Sequence, residues 1–244
     1  MNERPWYERA FDAPYLGLYP HRDLAAARAE VAALRARGLR GRGLDVGCGF
    51  GRHALAMLEE GIDAFGLDLS RELLARAAWL EGGARLRGRL LRGDVRALPV
   101  RERSLDFVTL FFSSFGYFDE AGNARALAEI GRVLRGEGLA LLDLMNPTRV
   151  RERLEPFTRT ERGGRILEER RSLLDSGRRV RKDVSLVERD GTTRRWHEDV
   201  RLYEVGELEP LLARAGLRLE RAEGDFDGRP AAPDAPRQIV WARR

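Results

Sequence analysis

Eight residues, Leu44-Asp45-Val46-Gly47-Cys48-Gly49-Phe50-Gly51, join a short apolar run to three glycines at alternate positions. The run reads as a buried strand, and Arg52 to Glu60 as the helix that follows. A glycine turn between them lets backbone approach a ligand closely and aims helix N-terminal amides at it. A second strand, Ala64-Phe65-Gly66-Leu67, ends in Asp68, 21 residues after Gly47. A carboxylate at that distance is placed to hold the two hydroxyls of a ribose. Taken alone, such a turn is equally a tight connection that holds nothing.

Three further groups of residues could do chemistry. Phe112-Ser113-Ser114-Phe115-Gly116-Tyr117-Phe118 ends a predicted strand, Leu105–Phe112, and mixes hydroxyls with aromatic rings. Those rings either shape an acceptor pocket or plug the core beneath a lid. On a predicted strand over Thr193–Tyr203, Trp196, Val200 and Leu202 share one face, and His197, Asp199, Arg201 and Tyr203 the other. That polar face is either solvated or a ceiling in which His197 acts as base and Arg201 holds an acidic substrate. Asp225 and Asp227 follow a predicted strand at Leu217–Ala222; they are second candidates for a base, or acids of a flexible loop. Of the other two histidines, His53 is expected to pack or cap at its helix start and His21 to sit in a loop. No metal-ligand cluster is visible, so no metal is expected.

These residues need elements to position them. Predicted helices Arg52–Glu60, Arg71–Leu80 (capped by Ser70) and Ala121–Leu134 alternate with strands at Leu90–Val95, Leu105–Phe112 and Leu139–Leu144. Such alternation implies a parallel sheet covered on both faces. Residues 5–37 read as helical, with Trp6, Phe11, Leu16 and Leu18 as scattered apolar positions and Asp23 as N-cap of a second stretch. Asn146-Pro147 breaks the pattern. About three antiparallel strands follow, Arg165–Leu174, Arg179–Glu188 and Thr193–Tyr203, turning at Asp175-Ser176-Gly177-Arg178 and Arg189-Asp190-Gly191-Thr192. A helix at Val205–Ala215 and strands at Leu217–Ala222 and Gln238–Ala242 complete the core. The expected organisation is a helical cap over 1–40, a core over 41–147 and 204–244, and an inserted lid over 148–203. Parallel strands bind ligands outside their carboxyl ends, so the insertion should roof the site.

The glycine spacing, with Arg52 where a dinucleotide fingerprint has its third glycine, resembles the first motif of class I S-adenosylmethionine (SAM) methyltransferases. Strands ending at Asp94, Phe112 and Leu144 follow in that family's order, and the closest similarity is to small bacterial members with a Ser-Phe-Gly-Tyr-Phe segment after strand four. The resemblance implies an α/β fold: a Rossmann-like, seven-stranded, mostly parallel sheet with helices on both faces, plus a small inserted antiparallel β lid. It implies SAM as cofactor, with Asp45 on the methionyl ammonium and Gly47, Cys48 and Gly49 along the methionyl chain. Asp68 would hold the ribose, Leu69 would pack on the adenine, Asp94 and Val95 would meet its edge, and Phe111 would line the site. Cys48 is expected to be inert packing. The acceptor pocket is expected between Ser113, Phe115 and Tyr117 below, His197 and Arg201 above, and Asp225 or Asp227 at the side. His197, Asp227 and Tyr117 are the catalytic candidates.

Composition narrows the function classes. A chain of 244 residues can bury one full core plus an insertion. No apolar run approaches the ~20 residues that span a bilayer. Met1-Asn2-Glu3-Arg4-Pro5 is unlike a signal peptide, and the one cysteine cannot form an internal disulfide, so a cytoplasmic enzyme is expected. Lys182 is the only lysine among 44 basic residues, a ratio that points to coding bias. The net charge of +5 sits in one segment: Arg149 to Tyr203 holds 16 basic and 11 acidic residues, and the remainder 28 of each. The leading expectation is methyl transfer to oxygen or nitrogen of a small, acidic or hydroxylated molecule. The alternative is a nucleic-acid methyltransferase that clamps backbone with the arginine-rich insertion. Against it, acids interleave with those arginines, as in Glu168-Glu169-Arg170-Arg171. The Asn/Asp-Pro-Pro-Tyr/Phe segment of amino-methylating nucleic-acid enzymes is also missing. A dehydrogenase is disfavoured by Arg52 and Asp94.

Overall fold

Side-chain alternation along the strands decides which surface each helix covers. The computed structural model describes residues 5–11 and 23–244, so the expectations for Leu16, Leu18 and His21 lie outside the described residues. In chain order come α1 (Trp6–Arg9), α2 (Leu24–Ala36), β1 (Arg42–Val46), α3 (Arg52–Glu59), β2 (Asp63–Asp68), α4 (Arg71–Arg76) and β3 (Leu90–Arg92). Then follow β4 (Leu105–Leu110), α5 (Glu120–Val133), β5 (Leu134–Met145) and α6 (Pro147–Arg153). The insertion supplies β6 (Phe157–Arg162), β7 (Arg165–Leu174), β8 (Arg179–Val187) and β9 (Thr193–Arg201). Helix α7 (Val205–Arg214) and strands β10 (Arg218–Glu223) and β11 (Arg237–Arg243) complete the chain.

The main sheet runs β10-β11-β5-β4-β1-β2-β3, with β10 and β11 antiparallel to their neighbours and the rest parallel. This is the expected Rossmann-like sheet. On one face, Val108, Leu110, Ala140 and Leu142 pack under α5 and α7 through Leu127, Ile130, Leu208 and Leu212. On the other, Phe107, Leu141 and Trp241 pack under α2 and α3 through Val31, Leu34 and Met57. Each face is the period-2 complement of the other. The Asp23 side chain caps α2 by accepting from Ala26 N at 2.8 Å. Strand order reverses at β1, which lies between β4 and β2, so the glycine turn leaves the sheet at its switch point.

The insertion departs from expectation in two ways. Its sheet has four strands, β6-β7-β8-β9, rather than about three. Strand β6 is an edge strand exposed at nearly every position, so it carries no apolar alternation to read. Asn146-Pro147, expected to break the pattern, starts a helix: proline occupies the first turn of α6, and Asn146 Oδ1 accepts from Thr148 N and Arg149 N. Tyr203, expected at the end of the lid, belongs to the core. It is 2% exposed, packs with Phe115, and its hydroxyl accepts from Asn123 Nδ2 at 3.0 Å and donates to Glu120 at 3.1 Å.

The lid is joined to the core at Gly116. Its carbonyl accepts from Arg201 N at 2.8 Å, and a Cβ there would lie 2.6 Å from the Arg201 carbonyl oxygen. Its φ of +101° is also one that side-chain-bearing residues avoid. Gly116→Ala should therefore lower stability by roughly 1–3 kcal/mol in chemical denaturation. An unchanged midpoint would show that β9 does not seat on this loop.

Candidate active site

The chain's first motif folds as a cradle. Gly47 N and Cys48 N donate to the Leu67 carbonyl at 2.8 and 3.1 Å, tying the turn to the end of β2. Asp68 completes the tie: one carboxylate oxygen accepts from Gly49 N at 2.7 Å and the other from Ser70 N at 2.8 Å. Each oxygen keeps a lone pair, and the carboxylate lies in the wall of a cleft. Gly47, Cys48, Gly49, Leu69, Asp94, Val95 and Phe111 line the same cleft, joined by Tyr7, Phe11, Tyr117 and Phe118. Arg96 grips Asp94 with Nη2 at 2.6 Å and spreads over the Phe118 ring, 4.3 Å from its centroid. Burial pushes the Asp94 carboxyl up, but the Arg96 hydrogen bonds outweigh it and hold the group below its ordinary value.

Asp45 lies behind this wall, 1% exposed, with Oδ1 accepting from Thr109 Oγ1 at 3.3 Å. Its Oδ2 is buried with no hydrogen-bond partner among the described residues. Burial, opposed by the Thr109 bond, raises its carboxyl to about 8. A buried orphan carboxylate oxygen beside a glycine cradle fits a ligand that brings its own cation. At the same end, His53 stacks on Phe111 at 3.9 Å and bonds Glu30 at 2.7 Å. Burial raises the Glu30 carboxyl and lowers the His53 imidazole well below its usual value. The pair is therefore a packing hydrogen bond, the role expected of His53. Burial also lifts the Cys48 thiol well above its usual range, which leaves it unreactive.

A second cavity of about 720 Å³ opens under the lid and shares Phe112 and Tyr117 with the cleft. Its floor is a strained turn: Phe112 and Ser113 adopt φ of 55° and 57°. Left-handed backbone costs roughly 1–2 kcal/mol per residue. Asp143, 0% exposed, holds it by accepting from Phe112 N at 2.7 Å through its side chain and from Ser113 N at 2.8 Å through its carbonyl. Arg237 binds the same carboxylate, with Nη2 at 2.6 Å, and lies over the Phe112 ring. The ceiling is the alternating inner row of the lid: Leu167, Glu169 and Arg171 on β7, Val180 and Lys182 on β8, Glu198 and Val200 on β9. Lys182 Nζ bridges Glu198 at 2.9 Å and Glu169 at 3.4 Å. Glu198 Oε1 is buried without a partner among the described residues.

Residues 44–138 match the family described as a methyltransferase domain. Over 229 residues, 90% of this chain and 93% of the relative, the sequence is 30% identical to the dTDP-3-amino-3,4,6-trideoxy-alpha-D-glucopyranose N,N-dimethyltransferase of Streptomyces venezuelae. The chain belongs to the SAM-dependent methyltransferases. Its fold is similar to the CcbJ methyltransferase of Streptomyces caelestis, with a TM-score of 0.78, 17% identity and 99% of each chain covered. It is also similar to SAM-bound CalS10, an amino pentose methyltransferase from Micromonospora echinaspora, with a TM-score of 0.65, 24% identity and full coverage of both chains. SAM is the cofactor of this methyltransferase.

The methyltransferase brings only part of the expected acceptor pocket together. Ser113 and Tyr117 line the second cavity. Phe115 does not: it is a core plug, 2% exposed against Tyr203. Arg201 is likewise buried, ion-paired to Glu120 at 2.9 Å and Glu207 at 2.7 Å, so it ties β9 to α5 and α7. His197 faces away from the ceiling, on the side of Arg181 and Asp183; burial, then Arg181, lowers its imidazole. Asp225 caps its own loop through Phe226 N, outside both cavities. Asp227 is exposed and held by Arg229 at 2.6 Å; that bond depresses its carboxyl to about 2, too acidic for a base. The polar row of β9 expected to form the ceiling therefore lies on the opposite side of the strand. Val200 and Leu202 face the core, and Glu198, in the same alternating row, faces the cavity. Lys182, the only lysine in an arginine-rich chain, lies in that ceiling.

Removing the Asp68 carboxylate should weaken SAM binding by about ten- to a hundredfold. Calorimetry on folded Asp68→Ala checks this, and unchanged affinity would exclude it from the site. Asp45 adds a pH dependence. In the cofactor-free protein it is protonated below about pH 8. An ammonium on Oδ2 favours the carboxylate, so binding should expel a proton, and SAM affinity should rise with pH and level off near about pH 8. Titrations in buffers of different ionisation enthalpy read that proton directly. A proton count of zero at neutral pH, or a count unchanged in Asp45→Asn, would contradict the assignment.

Proposed function

We propose that the protein transfers the SAM methyl group to a nitrogen of a small amine-bearing molecule seated beneath the lid. The observation that carries this reading is Glu198 Oε1, a buried carboxylate oxygen with no partner, in the ceiling of a cavity that meets the cofactor cleft. A carboxylate only accepts hydrogen bonds, so the group it suits is a donor, and an ammonium or amine suits it best. Two relatives fit, since the names of the Streptomyces venezuelae and Micromonospora echinaspora enzymes refer to amino sugars. We place the enzyme in the cytoplasm, where its lone buried cysteine stays reduced. Nucleic acid fits less well, because lid arginines 165, 171, 179 and 181 are engaged by acids of the same insertion.

The fit of the cofactor sets the direction of transfer. SAM supplies a methyl group on a sulfonium, open to in-line displacement by an acceptor lone pair. Asp45 would hold its ammonium, Gly47 and Gly49 its methionyl chain, Asp68 its ribose, and Leu69, Asp94 and Val95 its adenine. The Phe112–Ser113 turn and Tyr117 would then stand between cofactor and acceptor and align the two. Glu198 takes the proton that the attacking amine must lose, and Lys182 holds its other oxygen in place.

Methyl-labelled SAM offered to panels of amino sugars, simple alcohols and RNA tests this. Label should enter an amine, and Glu198→Gln should slow transfer by about a hundredfold or more while SAM still binds. Transfer to alcohol or RNA alone would overturn the reading.

A further inference from the structure

The acceptor cavity has a second, cationic pole. Five cations line it, and three have carboxylate partners: Arg171 on Glu169, Lys182 on Glu169 and Glu198, and Arg237 on Asp143. Arg149 and Arg153 have none among the described residues. Arg149 donates to the Asp234 carbonyl at 2.9 Å, and the Arg153 side chain has no hydrogen bond or ion pair among the described residues. Glu155 shares this rim; it and Arg153 are both exposed, Arg149 is half-buried, and Glu155 pairs with neither arginine. The two arginines sit one helical turn apart on α6, with about 5–6 Å between their Cβ atoms. They stand on the cavity side together with Val150 and Leu154.

We propose that Arg149 and Arg153 bind a phosphate or diphosphate group of the acceptor, so that the substrate is a phosphorylated amine held at both ends. This rests on the amine reading above for one end only. Two neighbouring guanidinium groups without carboxylate partners can together meet more than one negative charge, and their forked donors match phosphoryl oxygens two at a time. A single carboxylate would leave one of them uncompensated. A cavity of about 720 Å³ is of the size that encloses a whole small ligand, with room for both ends. Opposite poles also fix orientation: with the phosphoryl group at α6, the amine is left at the Glu198 end.

The test is calorimetry on the full chain saturated with S-adenosylhomocysteine, titrated with inorganic phosphate and inorganic pyrophosphate. Wild type should bind pyrophosphate, more weakly as salt rises. The double variant Arg149→Gln, Arg153→Gln should lose about ten- to a hundredfold in affinity and keep its SAM affinity. Arg195→Gln, on the exposed end of β9, should bind like wild type. Preference for pyrophosphate over phosphate would assign a diphosphate, and equal affinity a monoester. No binding by wild type, undiminished binding by the double variant, or an equal loss in Arg195→Gln would overturn the proposal. Amine methylation without pyrophosphate binding would overturn this inference and leave the methylation reading intact. Pyrophosphate binding with methylation only of hydroxyls would sustain the anion site and overturn the amine.

Discussion

The buried pair of Asp143 and Arg237 is the constraint on which the site depends. Asp143 projects from the middle of the sheet with no solvent contact, and its carboxylate would be costly to bury without the guanidinium and the Phe112 amide. Asp143 in turn holds two consecutive residues, Phe112 through its carboxylate and Ser113 through its carbonyl, in a backbone conformation neither would choose. The strain lies at the boundary between the first cleft and the second cavity. A relaxed turn there would change the wall that both share. The two cavities keep their relation because β5, β11 and the loop after β4 are locked through one carboxylate.

The lid serves two purposes with one face. Near the core its inner row is apolar: Val180, Val200 and Leu202 pack with Tyr117, Met145 and Val150. Farther out the same row becomes charged, with Glu169, Arg171, Lys182 and Glu198 in contact with one another. The apolar stretch at the base anchors the sheet, the charged stretch forms a polar ceiling over the second cavity, and beyond it Leu167, Val184, Leu186 and Trp196 make a separate apolar cluster. Arg201, on the opposite face, adds a second attachment through Glu120 and Glu207. The lid is thus fixed to the core from both sides at its base and open at its rim.

The parts of this design that local chemistry dictates could be read from sequence. The glycine turn, Asp68 at the end of β2 and the alternation of strands and helices each depend on neighbouring residues, and the structure has them where expected. Register and facing across the lid were not legible, because they depend on what the far side of a strand meets. The polar residues of β9 looked like the site and the apolar ones like the core, yet Glu198 shares a side with Val200 and Leu202. Phe115 and Arg201 misled for a related reason: an aromatic ring and an arginine near a loop satisfy burial as readily as they satisfy a ligand. Pro147 has the sequence signature of a breaker, yet at the first turn of α6 it starts the helix that carries Arg149 and Arg153.

A crystal structure of the protein with S-adenosylhomocysteine bound tests the central arrangement most directly. The account predicts the homocysteine ammonium against Asp45, the ribose on Asp68, and the sulfur facing the Phe112–Ser113 turn, with a clear line into the cavity beneath Glu198. A sulfur directed away from that turn, or a nucleoside lying under the lid in place of an acceptor, would contradict it.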